Sequence, residues 1–208
     1  MDKFSATASI RAGWSTFKRR PWFLVGMTAL MLVLTWVIGA ISGVFGEKEA
    51  PGLLGTLLNL GLSTLLSMGF TALVIRAHDT IESAEVGDLW HPKPFWKFLA
   101  AEFLVGVIVF IGLILLIVPG VIAILMLLFS VYIVIDRELG PIEAMKESMR
   151  ITRGSRSELL LLVLMCIVLN ILGMAALIVG LFISIPITAL AVVHAYRTLE
   201  RKAEATSA

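Results

Sequence analysis

Charge is what this chain has little of, and it is missing by region rather than evenly. Of 208 residues only 15% are Asp, Glu, Lys or Arg and 59% are hydrophobic, against roughly 25% and 45–50% in ordinary soluble domains. A soluble fold of this length could not cover so much apolar surface. Cysteine is absent except for Cys166, which excludes an intramolecular disulfide. With no basic neighbour to stabilise a thiolate, Cys166 reads as a small packing residue. There is no G-x-S-x-G, phosphate-binding loop, H-E-x-x-H or pair of acidic residues at catalytic spacing. Neither an enzyme nor a cofactor or metal site is therefore expected. His194 has no second histidine placed beside it in the sequence and reads as an interfacial residue rather than a metal ligand.

What remains is long uncharged runs. A helix rising about 1.5 Å per residue needs about 20 residues to cross a hydrocarbon core of about 30 Å. Residues 21–46 and 50–75 each suffice, with Glu47-Lys48-Glu49 and Pro51-Gly52 forming the turn between them. From Phe98 to Ile135 the only charge is Glu102, and from Leu159 to Tyr196 there is none. Either stretch as a single helix would extend about 57 Å, so each must fold into a hairpin. Pro119-Gly120 is the expected reversal point of the first, because proline lacks a backbone donor and glycine admits a positive φ. The second should turn within Gly173 to Gly180, and Pro186 should kink the last span. The expected fold is all-α and membrane-integral: an interfacial leader over 1–20, six transmembrane helices near 21–46, 50–75, 98–118, 120–136, 158–177 and 179–197, and elbows at 76–97 and 137–157. The spans pair as three hairpins. The first is too long for a signal-peptide core and follows an amphipathic leader, so it reads as an uncleaved anchor.

Threaded in this way from the cytoplasm, sixteen of the seventeen Lys and Arg residues fall on the cytoplasmic side and only Lys48 lies outside. That asymmetry orients the protein with both termini cytoplasmic. It also accounts for the basic balance through anionic headgroups, making nucleic acid a poor explanation. The leader carries Ile10, Trp14 and Phe17 on one helical face, with Arg11, Lys18, Arg19 and Arg20 able to reach phosphates. The second elbow holds Trp90, Phe95 and Trp96 as interface anchors. In the third, Pro141 suits the first helical turn, Ile142, Met145 and Met149 share a face, Glu147 can pair with Arg150, and Gly154 closes the helix.

The order Val118-Pro119-Gly120, Tyr132, Asp136, Gly140-Pro141-Ile142-Glu143-Ala144-Met145 and Ser148 to Gly154 resembles the YciC-like group of small bacterial inner-membrane proteins. It is also similar to related six-span families of unknown function, including the membrane domain attached to some glycerophosphodiester phosphodiesterases. The resemblance is strongest over residues 98–160, and Gly69-Phe70, Arg76 and Asp88-Leu89 also fit it. It implies the six-span fold. No phosphodiesterase domain accompanies it in these residues, so that activity is not carried over.

Two accounts of the motif stand side by side. Structurally, Pro119 and Gly120 turn a hairpin, Asp136 ends span four, Gly154 ends the elbow helix, and Ala144, Ser148 and Thr152 form a small face for close packing. Functionally, Ser148, Arg150, Thr152, Arg153 and Arg156 form a ledge for a lipid headgroup or a partner. Within the spans, Glu102 can snorkel or meet Arg76 or Lys97, or else serve as a coupling carboxylate. Asn59 and Asn170 are expected to hydrogen-bond between helices, and Gly39-x-x-x-Gly43 can bring span one against another helix or a second copy. The reading these features favour is a scaffold, assembly or envelope-maintenance factor, with anionic lipids and a membrane-protein partner or homo-oligomer as its contacts. A transporter of a small solute, ion or lipid, coupled through Glu102, is the alternative.

Overall fold

The computed structural model describes residues 4–44, 52–90, 93–176 and 179–207. The Glu47-Lys48-Glu49 and Pro51 part of the expected first turn, and Pro92, lie outside them. Among the described residues nine α-helices follow one another: α1 (Ala6–Arg19), α2 (Pro21–Val44), α3 (Leu53–Asp79), α4 (Phe95–Leu115), α5 (Ile117–Leu127), α6 (Ser130–Arg137), α7 (Pro141–Ile151), α8 (Arg156–Ala175) and α9 (Leu181–Ser207). Among the described residues there is no strand. Within the described residues six segments are long and apolar enough to cross a membrane: α2, α3, α4, α5 continued by α6, α8 and α9. The protein is an all-α, multi-pass membrane protein.

Its buried side chains concentrate toward one end, where Phe98, Phe129, Ile133, Leu159, Leu162, Leu190 and Tyr196 are almost fully enclosed. Large aliphatic side chains elsewhere on the spans, such as Leu54, Ile114, Val168 and Leu172, are outward-facing, as a lipid environment requires. The charged termini of α3, α6 and α9, the short α7 and the break between α1 and α2 all gather at the enclosed end, hereafter the charged end.

Three expectations change in detail. The chain reverses at Leu116, whose extended backbone (φ −170°, ψ 149°) separates α4 from α5. Pro119 therefore sits in the first turn of α5, where its missing N–H costs no helical bond. Gly120 is needed for proximity rather than for a positive φ: a Cβ on Gly112 would stand 3.0 Å from Gly120 Cα. Next, α1 turns only part of its Ile10–Trp14–Phe17 face to the bundle. It buries Ala6, Ser9, Gly13 and Phe17 and leaves Trp14 half exposed. Gly13 explains this, since its would-be Cβ lies 2.5 Å from Ile187 O and 3.0 Å from Ala191 N of α9, so only glycine allows the two backbones to approach. Last, α9 runs on to Ser207 with Pro186 inside it, ten residues beyond the expected end of span six.

The α8–α9 hairpin is closed by a polar bridge. Asn170 donates from Nδ2 to Cys166 O (3.0 Å) and accepts from Ser184 Oγ at Oδ1 (2.8 Å), with Thr188 Oγ1 at 3.4 Å. Gly173 lies directly against Ser184 and Gly180. Asn170 thus joins two helices, as expected of an amide in a span.

Candidate functional site

The charged end is built where the ends of α3 and α6 meet α7 and α9. Arg197, on α9, has 18% of its side chain exposed and grips Asp136 at the end of α6 with both terminal nitrogens: Nη1 to Oδ2 at 2.7 Å and Nη2 to Oδ1 at 2.8 Å. The same guanidinium reaches Asp79 at the end of α3 (Nη2 to Oδ2, 2.6 Å) and Glu200 one turn along α9 (Nη1 to Oε2, 3.2 Å). The fully buried Tyr196 places its hydroxyl 2.8 Å from Asp136 Oδ2 and 3.0 Å from Glu200 Oε1. A single phenolic proton therefore serves two carboxylates. Arg137 extends the lattice sideways, donating to Glu200, to Glu204 (3.1 Å) and to Glu147 of α7 (3.2 Å). Planar guanidinium forks suit this work because they bond carboxylates in pairs.

Beside this lattice, His78 Nδ1 lies 3.0 Å from Asp79 Oδ1 and its Nε2 lies 3.2 Å from His194 Nδ1. The sequence reading of His194 is corrected here: a second histidine does stand next to it, brought from α3, 116 residues away. Among the described residues no group of three or more His, Cys, Asp or Glu is disposed to hold a metal ion.

The motif in the third elbow splits by direction. Ala144, Ser148 and Thr152 face inward and are fully buried. The Ser148 hydroxyl enters the break between α5 and α6, donating to Met126 O (2.8 Å) and accepting from Phe129 N–H (3.2 Å). One side chain thereby replaces ladder bonds that the interrupted helix gives up. Thr152 Oγ1 bonds back to Ser148 O (2.8 Å). These two residues fasten the elbow and present nothing to a ligand. Of the expected Ile142–Met145–Met149 face, Met145 is buried while Ile142 is 60% exposed. Ser148→Ala would leave two backbone groups unpaired, and we expect it to destabilise the fold by about 2 kcal/mol, read as a lower midpoint in detergent unfolding.

Arg150, Arg153 and Arg156 face outward. With Lys146, Met149, Gly154 and Ser157 they line an open groove of about 790 Å³ between the end of α7 and the start of α8. Gly154 makes the turn at φ +80° that only glycine adopts freely. Arg150 is tied to Glu147 by two hydrogen bonds of 2.8 and 2.6 Å. Its guanidinium, with Arg137 beyond it, holds the Glu147 carboxyl below its ordinary value of 4.5 against the opposing effect of partial burial. A carboxyl depressed on folding stabilises the folded state above its unfolded pKa, and that contribution is lost as the pH falls through the folded one. We therefore expect stability to decline as the pH drops below about 4.5, and Glu147→Gln to flatten that acid limb in pH-dependent melting.

Glu102 meets neither Arg76 nor Lys97. It is half-buried and accepts from Ser67 Oγ at 3.0 Å, beside an apolar groove of about 510 Å³ lined by Leu60, Trp96, Leu99, Ala100 and Phe103. Arg76 instead lies 3.4 Å from Asp88, and Lys97 donates to Glu138 O at 2.7 Å. Glu102 and Asn170 take different partners, Ser67 on α3 and Ser184 on α9. Arg20, expected to reach phosphates, turns inward: its Nη1 donates to the carbonyls of Ile81 (2.9 Å), Glu82 (3.2 Å) and Ala84 (3.1 Å). Gly69 lies under the Leu89 carbonyl, which a Cβ there would overlap. The elbow thus folds back along α3, held at Gly69, Arg76 and Arg20.

Comparison of the chain with protein-family models, with curated proteins and with solved structures finds no significant match.

Proposed function

We propose that the protein is a non-catalytic component of the bacterial inner membrane, with its charged end and both termini in the cytoplasm, related to the YciC-like group. It acts as a scaffold, assembly or envelope-maintenance factor that offers this end to a membrane-protein partner and to anionic headgroups. The observation that carries the reading is the lattice centred on Arg197. It ties α3, α6, α7 and α9 into one braced platform, while Asn170 and Ser184 join helices at membrane depth. A braced surface beside a quiet interior suits docking better than a moving pathway.

Gentle extraction from the native membrane followed by native mass spectrometry tests this. A stoichiometric protein partner is expected, and its absence from repeated preparations would remove the scaffold reading. Reporter fusions at residue 48 and at the C-terminus should read outside and inside respectively; the reverse would overturn the orientation. The Glu102–Ser67 bond beside an apolar groove favours a second reading, transport of a small solute, ion or lipid. Loss of a coupled flux in proteoliposomes on Glu102→Gln would establish it in place of the first.

A further inference from the structure

We propose that the groove between α7 and α8 seats the phosphate of an anionic membrane phospholipid, whose acyl chains run down the outer face of α8. This rests on the reading above that the charged end meets anionic headgroups, and it assigns that contact to one place.

The first argument is uncompensated charge. Lys146, Arg153 and Arg156 are exposed around the groove and make no ion pair among the described residues. The acidic residues that could neutralise them are committed elsewhere. Glu143 accepts from Gly140 N–H (2.9 Å), Glu147 is held by Arg150 and Arg137, and Glu158 accepts from Ala6 N–H of α1 (3.1 Å). Two neighbouring helices thus turn their carboxylates away and leave three cations facing one concavity. The start of α8, a 20-residue helix, points its positive end into the same space.

The second argument is continuity with lipid. Ser157 lines the groove, and Leu160, Leu161 and Leu164 follow it at i+3, i+4 and i+7, on the same helical face. All three leucines are exposed, at 37%, 44% and 49%. A soluble phosphate would use the cations and leave this strip bare. A glycerophospholipid uses both, its phosphodiester among the three cations and a chain against the leucines. The 790 Å³ of open space also exceeds what a lone inorganic anion would fill.

The test is lipid titration of the delipidated full chain, followed by native mass spectrometry with phosphatidylglycerol, phosphatidylcholine and inorganic pyrophosphate as probes. One phosphatidylglycerol should be retained at least tenfold more tightly than phosphatidylcholine. Replacing Lys146, Arg153 and Arg156 together with glutamine should weaken it about a hundredfold, since each basic residue near an anionic lipid surface contributes about fivefold. Lys93→Gln with Arg201→Gln, exposed cations on other elements, should leave it unchanged. Equal retention by the triple variant, equal loss in the control pair, or displacement by equimolar pyrophosphate would each overturn the proposal, the last by assigning the groove to a soluble anion. As a second measurement, Leu164→Trp should be quenched by bromine-labelled chains of phosphatidylglycerol more than of phosphatidylcholine, relative to the parent chain; equal quenching counts against it. No protein partner enters these experiments, so failure here and failure to find a partner in native membranes are separate results.

Discussion

Arg197→Ala is expected to lower the unfolding free energy by about 3 kcal/mol, the lower end of what removing one partner of a buried ion pair costs. The lower end applies because Asp79 keeps 39% of its side chain exposed and water can relieve it, whereas Asp136 keeps only 17%. The loss comes less from the missing attraction than from two carboxylates left with Glu200 and no shared cation. Arg197→Lys should recover only part, because an ammonium cannot span both oxygens of Asp136. Converting Asp79 and Asp136 to asparagine together with Arg197→Met should restore most of it, since the stranded charge is then gone. Denaturation in mixed micelles measures all three. An Arg197→Ala variant within 0.5 kcal/mol of the parent would mean the lattice is ornamental.

Gly69→Ala should be nearly as damaging, at about 2 to 3 kcal/mol, because a methyl group would occupy the place of the Leu89 carbonyl oxygen and backbone has little room to yield. The expected signature is local: faster hydrogen exchange over residues 81–90 as the elbow lifts from α3. Gly61→Ala on the same helix is the matched control. Nothing lies within 4 Å of its would-be Cβ, so it should be neutral or gain up to about 1 kcal/mol from improved helix propensity. Equal behaviour of the two variants would show that the elbow is not seated on Gly69.

These two sites show what hydropathy reveals and what it does not. Six spans follow from run length because a bilayer imposes one distance on every crossing. The small face of Ala144, Ser148 and Thr152 was legible because helical spacing fixes which side chains share a side. Leu116 was not, since nothing in Leu-Ile marks a turn; Pro119 attracted attention as a breaker when its place was the first turn of the following helix. The Arg197 lattice was equally hidden. Its partners stand 61 and 118 residues away, and no local rule couples positions that only tertiary packing brings together. The seating of α1 is hidden for a related reason. Ile10, Trp14 and Phe17 are the hydrophobic side chains, but Gly13 decides how near α9 can come, and a glycine contributes nothing to an amphipathic pattern.

The seating of α1 against α9 also has a consequence in time. On the ribosome α1 emerges before α9, so the helix that crosses α9 at Gly13 has no berth until the spans between the two have been made. The same holds for the Ala6 amide, whose acceptor Glu158 belongs to the penultimate span. During synthesis α1 must wait without this contact, then dock against α9. A nascent chain interrupted before α9 would keep this helix undocked, an exposed mark that a quality-control protease could read as incompleteness.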